Sequence, residues 1–313
     1  MEACIFSTAY KVIVCSLLGV TAVLSPLLNA FVCLTIFKQR KFRTTGNILI
    51  CNLALSDGLI GLTLAPLEVV YVSHFPRWQL ERSGTDILNS IWLFSLVSPF
   101  VIVSAITIER YRTIKTFTLA TREQISTKKL LIVITILWLY SVVAVAFMAG
   151  NFTDAQRHVY NWNVNPSFYY PFLALHIVIP LSIVVTAYYK IFRLTKRMRV
   201  DELEQSAATK IQSREVRLAK TLAIVIGLLF LVWLPVLVIE CFYATESTSC
   251  ITEAAGPVSV WLTVFSGVMN PIVYFYRNPS LRTAFQQVVS FHKKRVPSQM
   301  TTRLIPTSDE HSN

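Results

Sequence analysis

The sequence is poor in charge: Asp, Glu, Lys and Arg make up only 15% of its 313 residues. Soluble globular domains carry roughly a quarter. Hydrophobic residues make up 54% of the chain, and the mean hydropathy is +0.54. This composition argues against a soluble protein and favours a chain that is buried in a membrane.

Motifs of enzyme catalysis are missing as well. The sequence has no HExxH, no GxSxG, no glycine-rich phosphate loop and no CxxC pair, and its five histidines are scattered. Such patterns supply the metal ligands, nucleophiles or phosphate-binding amides of many enzymes. The sequence therefore predicts a protein that is not an enzyme and holds no metal centre or resident cofactor.

What the sequence does contain is a set of long apolar runs. Each is about the ~20 residues that a membrane-spanning helix needs, and none alternates with the period of two that is typical of a barrel strand. We therefore predict an all-α membrane protein with a seven-transmembrane helix bundle. The predicted spans, numbered one to seven in chain order, are Val12–Phe37, Asn47–Val72, Ile87–Ile108, Leu130–Ala149, Tyr169–Tyr189, Leu222–Ile239 and Ala254–Phe275.

The net charge of +12 is unevenly distributed. With seven alternating spans, 25 of the 29 Lys and Arg residues fall on the side that holds the C-terminus, and four fall on the other side. Basic loops remain in the cytosol, so the N-terminus is predicted outside and the C-terminus inside. The basic side would contact anionic membrane lipid. No soluble basic face remains for a nucleic acid.

Several polar residues and prolines interrupt the apolar spans. Asp57 lies near the middle of the second span, and Asn29 and Asn270 lie at a comparable depth in the first and seventh. Polar groups inside a membrane are costly and usually face the interior of a helix bundle. Together with Pro180, Pro235 and Pro271, they predict a hydrated polar core that is surrounded by helices able to bend.

One motif in each span makes the chain similar to the rhodopsin-like (class A) G-protein-coupled receptors. The resemblance runs from about Leu28 to Val289. In chain order, the matching residues are Asn29, LALSD ending at Asp57, ERY at Glu109–Tyr111, Trp138, Pro180 with Tyr188, WLP at Trp233–Pro235, and NPIVY at Asn270–Tyr274.

The resemblance implies a receptor at the plasma membrane. Such a protein binds an extracellular small-molecule or peptide ligand in the outer half of the bundle and activates a heterotrimeric G protein. The alternative is a seven-helix transporter or channel with a polar conducting core. Transporters often contain an internal repeat, and we find none in this sequence.

The resemblance also assigns roles at the cytosolic ends of the spans. Arg110 would pair with its neighbour Glu109 at rest and meet the G protein when active. Glu215 falls where the family has a second acid that bridges to the same arginine, although a solvated interfacial glutamate is the alternative. Tyr111, Tyr188 and Tyr274 complete the group expected to take part in coupling.

Within the bundle, the family pattern predicts a polar core and a ligand pocket above it. The core would contain Asn29, Asp57, Ser98, Ser266 and Asn270, and we expect it to bind an allosteric sodium ion. The third span, however, has Pro99 where the family has a hydroxyl ligand. The pocket, between the third, fifth, sixth and seventh spans, would contain Glu68, Asn89, Trp92, His176, Trp233, Glu240 and Trp261.

These pocket residues would suit a cationic or hydrogen-bonding ligand, through ion pairing and attraction to the faces of aromatic rings. The alternative is that the two acids, Glu68 and Glu240, only lie at the level of the lipid headgroups. Amine receptors carry an aspartate in the outer third span, where this chain has Trp92.

The cysteines depart from the family pattern. The family's usual bridge would start at Thr85, and the loop of residues 150–168 contains no cysteine. Cys241 and Cys250 flank the third outer loop and are expected to pair, with Cys4 as a competing partner. This arrangement resembles the branch of melanocortin, adenosine, cannabinoid and lysophospholipid receptors. Asn151, in an NFT sequon on the predicted outer side, is a candidate glycosylation site.

The C-terminal region is expected to form a short amphipathic helix and a tail. Residues 279–291 place Leu281, Phe285 and Val288 on one face and Arg282 on the other, which is typical of a helix lying on the membrane. We assign residues 1–291 to the receptor domain and residues 292–313 to a disordered cytosolic tail. Its Ser and Thr residues could accept phosphate and recruit an arrestin.

Overall fold

The computed structural model consists of long helices in the order that the apolar runs predict. It describes residues 5–76, 82–118, 126–150, 166–200, 226–239, 250–277 and 281–286, with four isolated positions between 216 and 224. The first four spans are Thr8–Lys38, Thr45–His74, Arg82–Thr118 and Thr127–Ala149. The fifth joins Pro166–Leu173, a π-helical turn at Ala174–Val178 and Ile179–Val200. The sixth contains Ile226–Ile239, and the seventh is Cys250–Arg277.

Six of these helices are long and apolar enough to cross a membrane, and the helix of the sixth span is a shorter apolar one. The predicted seven-helix bundle is confirmed. Three helices start at a side-chain cap, which satisfies a backbone amide that has no partner within the helix. Ser7, Thr44 and Ser126 accept hydrogen bonds from the amides of Tyr10, Asn47 and Lys129.

The second and third spans form the centre of the bundle. In each of them 72% of the most apolar segment is buried, compared with 17% in the fourth span. The second span packs against the first, third and seventh, and the third packs against the fourth and fifth. The fourth span directs most of its apolar side chains outward, as expected of a helix that lies at the edge of a bundle and contacts lipid.

Polar contacts fix how neighbouring spans are placed. Trp138 Nε1 in the fourth span donates to Asn52 Oδ1 in the second, at 2.7 Å. Gly61 allows the first and second spans to approach closely, because a β-carbon there would lie 2.7 Å from the Cβ of Ser25. The hydroxyl of Ser25 donates to the backbone oxygen of Asp57 at 2.9 Å. These contacts hold the first, second and fourth spans in register.

The fifth span widens before Pro180. Residues Ala174–Val178 form a π-helical turn, which contains more residues per turn than an α-helix. Because proline has no amide hydrogen, Pro180 cannot complete the ordinary α-helical hydrogen bond to the carbonyl of His176. The turn changes the direction in which the preceding side chains point.

The described part of the C-terminal segment, residues 281–286, is helical and returns to the bundle. Leu281 is buried, and Phe285 contacts Phe31 and Phe275, with ring centroids 5.3 and 4.8 Å apart. Arg282 is exposed. The apolar side chains of this segment therefore pack against the first and seventh spans. Val288 and residues 292–313 lie outside the described residues.

Candidate functional site

A buried ion pair lies towards the C-terminal end of the third span. Arg110 is only 2% exposed, and its Nε lies 3.5 Å from Glu109 Oε2. The other carboxylate oxygen, Glu109 Oε1, accepts a hydrogen bond from the hydroxyl of Thr113 at 3.0 Å. Thr113 thereby fixes the carboxylate from the next turn of the same helix. The pair is removed from solvent, although Arg112 and Lys115, two and five residues further on, are exposed.

Gly46, at the start of the second span, forms the floor under this ion pair. A β-carbon at Gly46 would overlap the guanidinium of Arg110 and lie 2.6 Å from Glu109 Oε2. The absence of a side chain therefore provides the space that the guanidinium occupies. Sequence reasoning did not identify Gly46, because a glycine in an apolar helix gives no signal of what packs against it.

Two tyrosines lie near Arg110, and a third, Tyr111, follows it in the chain. Tyr188 and Tyr274 both lie within electrostatic range of the guanidinium, and Tyr274 lies within range of Asp57 as well. Tyr111 points to the fifth span, where Lys190 Nζ lies 5.7 Å from its ring centroid. The seventh span thus brings one tyrosine between the ion pair and the polar core.

The polar core joins the first, second and seventh spans. Asn270 Nδ2 donates to Asp57 Oδ2 at 2.8 Å, and both residues are buried. Asn29 Nδ2 donates to the backbone oxygens of Ser25 and Gly267, at 2.9 and 3.0 Å. The structure therefore brings together the three polar residues that the sequence placed at a common depth.

A small cavity adjoins Asp57. Its volume is about 10 Å³, and its polar lining comes from Asp57, Ser95, Thr263 and Ser266. That volume holds about one water-sized particle. Ser98 has a different role, because its hydroxyl lies 2.8 Å from the hydroxyl of Ser56. Ser95, one turn before Pro99, provides the third-span hydroxyl at the cavity that we had expected from Ser98.

Above this cavity lies a cluster of aromatic rings. Trp92 and Trp233 are 2% and 1% exposed, and their rings stack with centroids 6.1 Å apart. Phe100 meets the edge of Trp233 at 5.4 Å. The third and sixth spans therefore pack against each other through Trp233, which the sequence predicts at the floor of the ligand pocket.

Other predicted pocket residues are more widely spread. His176 faces the fourth span, where its Nε2 lies 3.1 Å from the hydroxyl of Tyr140. A regular α-helix is the basis for predicting His176 in the pocket, and the π-helical turn that contains this residue changes the direction of its ring. Glu68 is fully buried on the side of the first span, within electrostatic range of Tyr10 and Tyr71.

The last described pocket residues are Asn89, which is buried, and Trp261, which is partly buried and stacks on Phe265 with centroids 5.3 Å apart. Glu215, Glu240, Cys241 and Asn151 lie outside the described residues. Cys250 is disulfide-bonded, and its partner lies outside the described residues too. Cys15, Cys33 and Cys51 are free.

Comparison with known proteins decides the family. The family model "7 transmembrane receptor (rhodopsin family)" matches residues 28–274. The chain belongs to the rhodopsin family of seven-transmembrane receptors. Accordingly, it is a multi-pass membrane receptor that binds an extracellular ligand and activates a G protein. This family is one of signalling receptors rather than enzymes.

Individual relatives of the receptor agree with this assignment. The rat histamine H2 receptor is 24% identical, with 98% of this chain and 89% of the relative aligned. The human 5-hydroxytryptamine receptor 1F is 25% identical, with 89% and 93% aligned. The crystal structure of squid rhodopsin superimposes on this chain with a TM-score of 0.75 and 19% sequence identity. The match covers 93% of this chain and 91% of the rhodopsin chain.

These relatives do not belong to the branch that the cysteine pattern resembles. At such identities they show the family and the fold, so the branch stays a prediction. The receptor also differs from the pattern expected of amine receptors, because it has the buried Trp92 where those carry an aspartate.

Proposed function

We propose that Arg110 carries the signal of this receptor to the G protein and that Glu109 and Gly46 hold it in the resting state. The observation that supports this is the burial of the ion pair towards the C-terminal end of the third span. A buried charge is costly unless it is paired. If Arg110 leaves Glu109 and pairs with a group on the G protein, the relative energies of the resting and active states change. The family match favours this function over a transporter or channel.

We also propose that the ligand binds between the outer halves of the third, sixth and seventh spans, above Trp233. Trp92 is eighteen residues before Arg110, about 27 Å along the helix. The aromatic rings there favour a small cationic ligand, and we propose that Glu68, which is buried towards the first span, faces the edge of this site. Relatives named for histamine and 5-hydroxytryptamine support a small molecule.

A panel of G proteins tests the coupling. The receptor is expressed in cells with one reporter for each G-protein class, and basal nucleotide exchange is measured at known surface expression. We expect basal exchange above that of receptor-free cells for at least one class.

The ligand class is tested by comparing small amines with their uncharged analogues. Glu68→Gln is the variant expected to reduce the response to amines. Basal and stimulated exchange equal to that of receptor-free cells for every class would contradict the proposal.

Glu215 provides a more specific prediction. If it contacts Arg110 only when the third and sixth spans meet, that contact contributes its whole energy to the resting state. An ion pair that water can reach contributes about 0–1 kcal/mol, and one at an inter-helix seam somewhat more. Each ~1.4 kcal/mol is a tenfold change in population. Glu215→Ala should therefore raise basal exchange by a few-fold to tenfold and preserve stimulation. Unchanged basal exchange in Glu215→Ala at matched surface expression would mean that Glu215 is a solvated residue that does not contact Arg110.

The cavity beside Asp57 provides a prediction about sodium. We propose that it holds a sodium ion in the resting state, with Asp57 and the hydroxyl of Ser95 as ligands. A ligand that binds the folded state raises its stability. The melting temperature of the purified receptor should therefore be higher in sodium chloride than in the same concentration of N-methyl-D-glucamine chloride. Asp57→Asn should abolish this difference.

Two serines serve as a matched pair for the sodium experiment. Ser95→Ala removes a hydroxyl from the cavity, whereas Ser98→Ala removes one that is engaged with Ser56. We expect the first substitution to reduce the sodium effect and the second to preserve it. An equal sodium effect in Asp57→Asn and in the unaltered receptor would disprove sodium binding and leave Asp57 as a structural partner of Asn270.

The remaining features of the outer and inner surfaces are proposed on the sequence alone. We propose that Cys241 pairs with Cys250, that the N-terminus is outside, and that Asn151 is glycosylated. Non-reduced peptide mapping is expected to recover the Cys241–Cys250 pair, and recovery of Cys4 with Cys250 would contradict it. The tail after residue 291 is proposed to recruit an arrestin once phosphorylated.

A further inference from the structure

A groove lies between the fourth and fifth spans, away from the proposed ligand position. Its volume is about 770 Å³, which is within the range of ~300–1,000 Å³ for pockets that hold small molecules. We call it the 4–5 groove. The lining residues used below are Tyr140, Val143, Phe147, Phe168, Phe172 and His176.

The groove opens to the bilayer rather than to water. Val143 is 65% exposed and Phe147 is 58% exposed, and both lie within a span. The lining is apolar except for Tyr140, His176 and Ser167, and none of its side chains is a carboxylate, ammonium or guanidinium. A charged headgroup would find no counter-charge here, so the lining selects an uncharged, largely apolar molecule.

One hydrogen-bonded pair interrupts the apolar wall. His176 Nδ1 lies 2.8 Å from the backbone oxygen of Phe172, and Nε2 lies 3.1 Å from the hydroxyl of Tyr140. A carbonyl oxygen only accepts, so in the neutral imidazole Nδ1 carries the hydrogen and Nε2 accepts. The hydroxyl of Tyr140 must then donate to Nε2. Its oxygen lone pairs are left to accept from a molecule in the groove.

The π-helical turn gives this wall its form. Residues Ala174–Val178 contain His176 and direct its ring to the fourth span. The ring also packs against Phe172 of its own span, with centroids 4.1 Å apart. Turns of this kind are frequent at functional sites. Beyond the turn, the backbone oxygen of Pro180 lies 3.4 Å from the hydroxyl of Ser104 in the third span, which also donates to the backbone oxygen of Phe100 at 2.9 Å. The fifth span, which forms one wall of the groove, therefore also contacts the helix that carries Arg110.

We propose that the 4–5 groove binds uncharged, membrane-dissolved molecules that carry one hydrogen-bond donor, with a phenol as the matching class. The apolar wall holds the body of the molecule, and the oxygen of Tyr140 accepts its hydroxyl hydrogen. The proposal concerns a second site and does not require the ligand position described above.

A photoreactive alkylphenol carrying a diazirine is the probe. Purified full-length receptor in lipid nanodiscs is irradiated with it, and labelled peptides are mapped by mass spectrometry. We expect labelling concentrated on residues 136–147 and 167–176, and competition by unlabelled 4-octylphenol. A probe whose hydroxyl is methylated should label about two- to tenfold less, as expected from the loss of one hydrogen bond.

Two neighbouring valines provide a matched pair of variants. Val143→Trp fills the groove, whereas Val142→Trp places the same ring on the same span at a position that is 53% exposed and outside the lining. We expect labelling to fall at least fivefold in the first and to persist in the second. In Tyr140→Phe, the phenol and its methyl ether should label equally.

Three results would overturn the proposal. The first is labelling spread evenly over the lipid-facing surfaces of all spans, and the second is equal labelling in Val143→Trp and Val142→Trp. The third is a diazirine on the acyl chain of a phospholipid labelling the groove as strongly as the phenol does, because the groove would then hold bulk lipid.

Discussion

Arg110→Ala is expected to abolish G-protein coupling: basal nucleotide exchange should fall to the level of receptor-free membranes. The guanidinium is 2% exposed and is held beside Glu109, so its removal takes away the group that is proposed to meet the G protein. Ligand binding should be unaffected, because Trp92 lies about 27 Å away along the helix. Exchange and surface expression are measured in the same membranes.

Arg112→Ala is the control for this experiment. Arg112 lies two residues further along the same helix and is exposed, so it carries the same charge without the buried contact. Its replacement should leave basal exchange within about fivefold of the unaltered receptor, since an exposed charge contributes at most ~1 kcal/mol. If Arg110→Ala behaves like Arg112→Ala, Arg110 is a structural residue and the proposed coupling role is wrong.

Gly46→Ala is expected to act in the opposite direction and raise basal exchange several-fold. The new methyl group would overlap the guanidinium of Arg110, and the flexible end of that side chain must move away from Glu109. The resting arrangement would lose part of its buried ion pair, in which Nε and Oε2 lie 3.5 Å apart, and breaking a buried pair costs up to about 3–5 kcal/mol. Each ~1.4 kcal/mol shifts the ratio of states tenfold. Relaxation of neighbouring residues reduces this to an expected fivefold to tenfold rise at matched surface expression.

Gly19→Ala is the matched control, because no heavy atom lies within 4 Å of the added carbon. It should leave basal exchange unchanged. Glu109→Gln provides a second check: if Gly46 acts through the ion pair, the two substitutions together should raise exchange no further than the larger single effect. Additive effects, or a fall in basal exchange in Gly46→Ala, would show that Gly46 does not position Arg110.

The number and order of the spans were predictable because the membrane imposes one simple requirement, a long uncharged helix. The fourth span was predicted as Leu130–Ala149 and is observed as Thr127–Ala149. The hydrogen bond between Asn270 and Asp57 follows from the same logic. Two polar groups at equal depth in a bundle interior have few other partners available.

Side-chain direction within a span was much less predictable. His176 turns to the fourth span because a π-helical turn changes the count of residues per turn. Ser95 and Ser98 are three residues apart, and only the packed structure shows that one lines the cavity and the other meets Ser56. Gly46 could not be identified at all, since what it contributes is the space that it leaves empty.

The shallow packing of the fourth span has a consequence for how this receptor tolerates change over evolution. Only 17% of its most apolar segment is buried, so at most of its positions lipid is the neighbour and one aliphatic side chain serves as well as another. Neutral drift should therefore accumulate fastest on this helix. The exceptions are positions that face the interior, such as Trp138 and Ser141, together with Tyr140 in the 4–5 groove, and the fourth span would retain its identity across distant relatives through such positions.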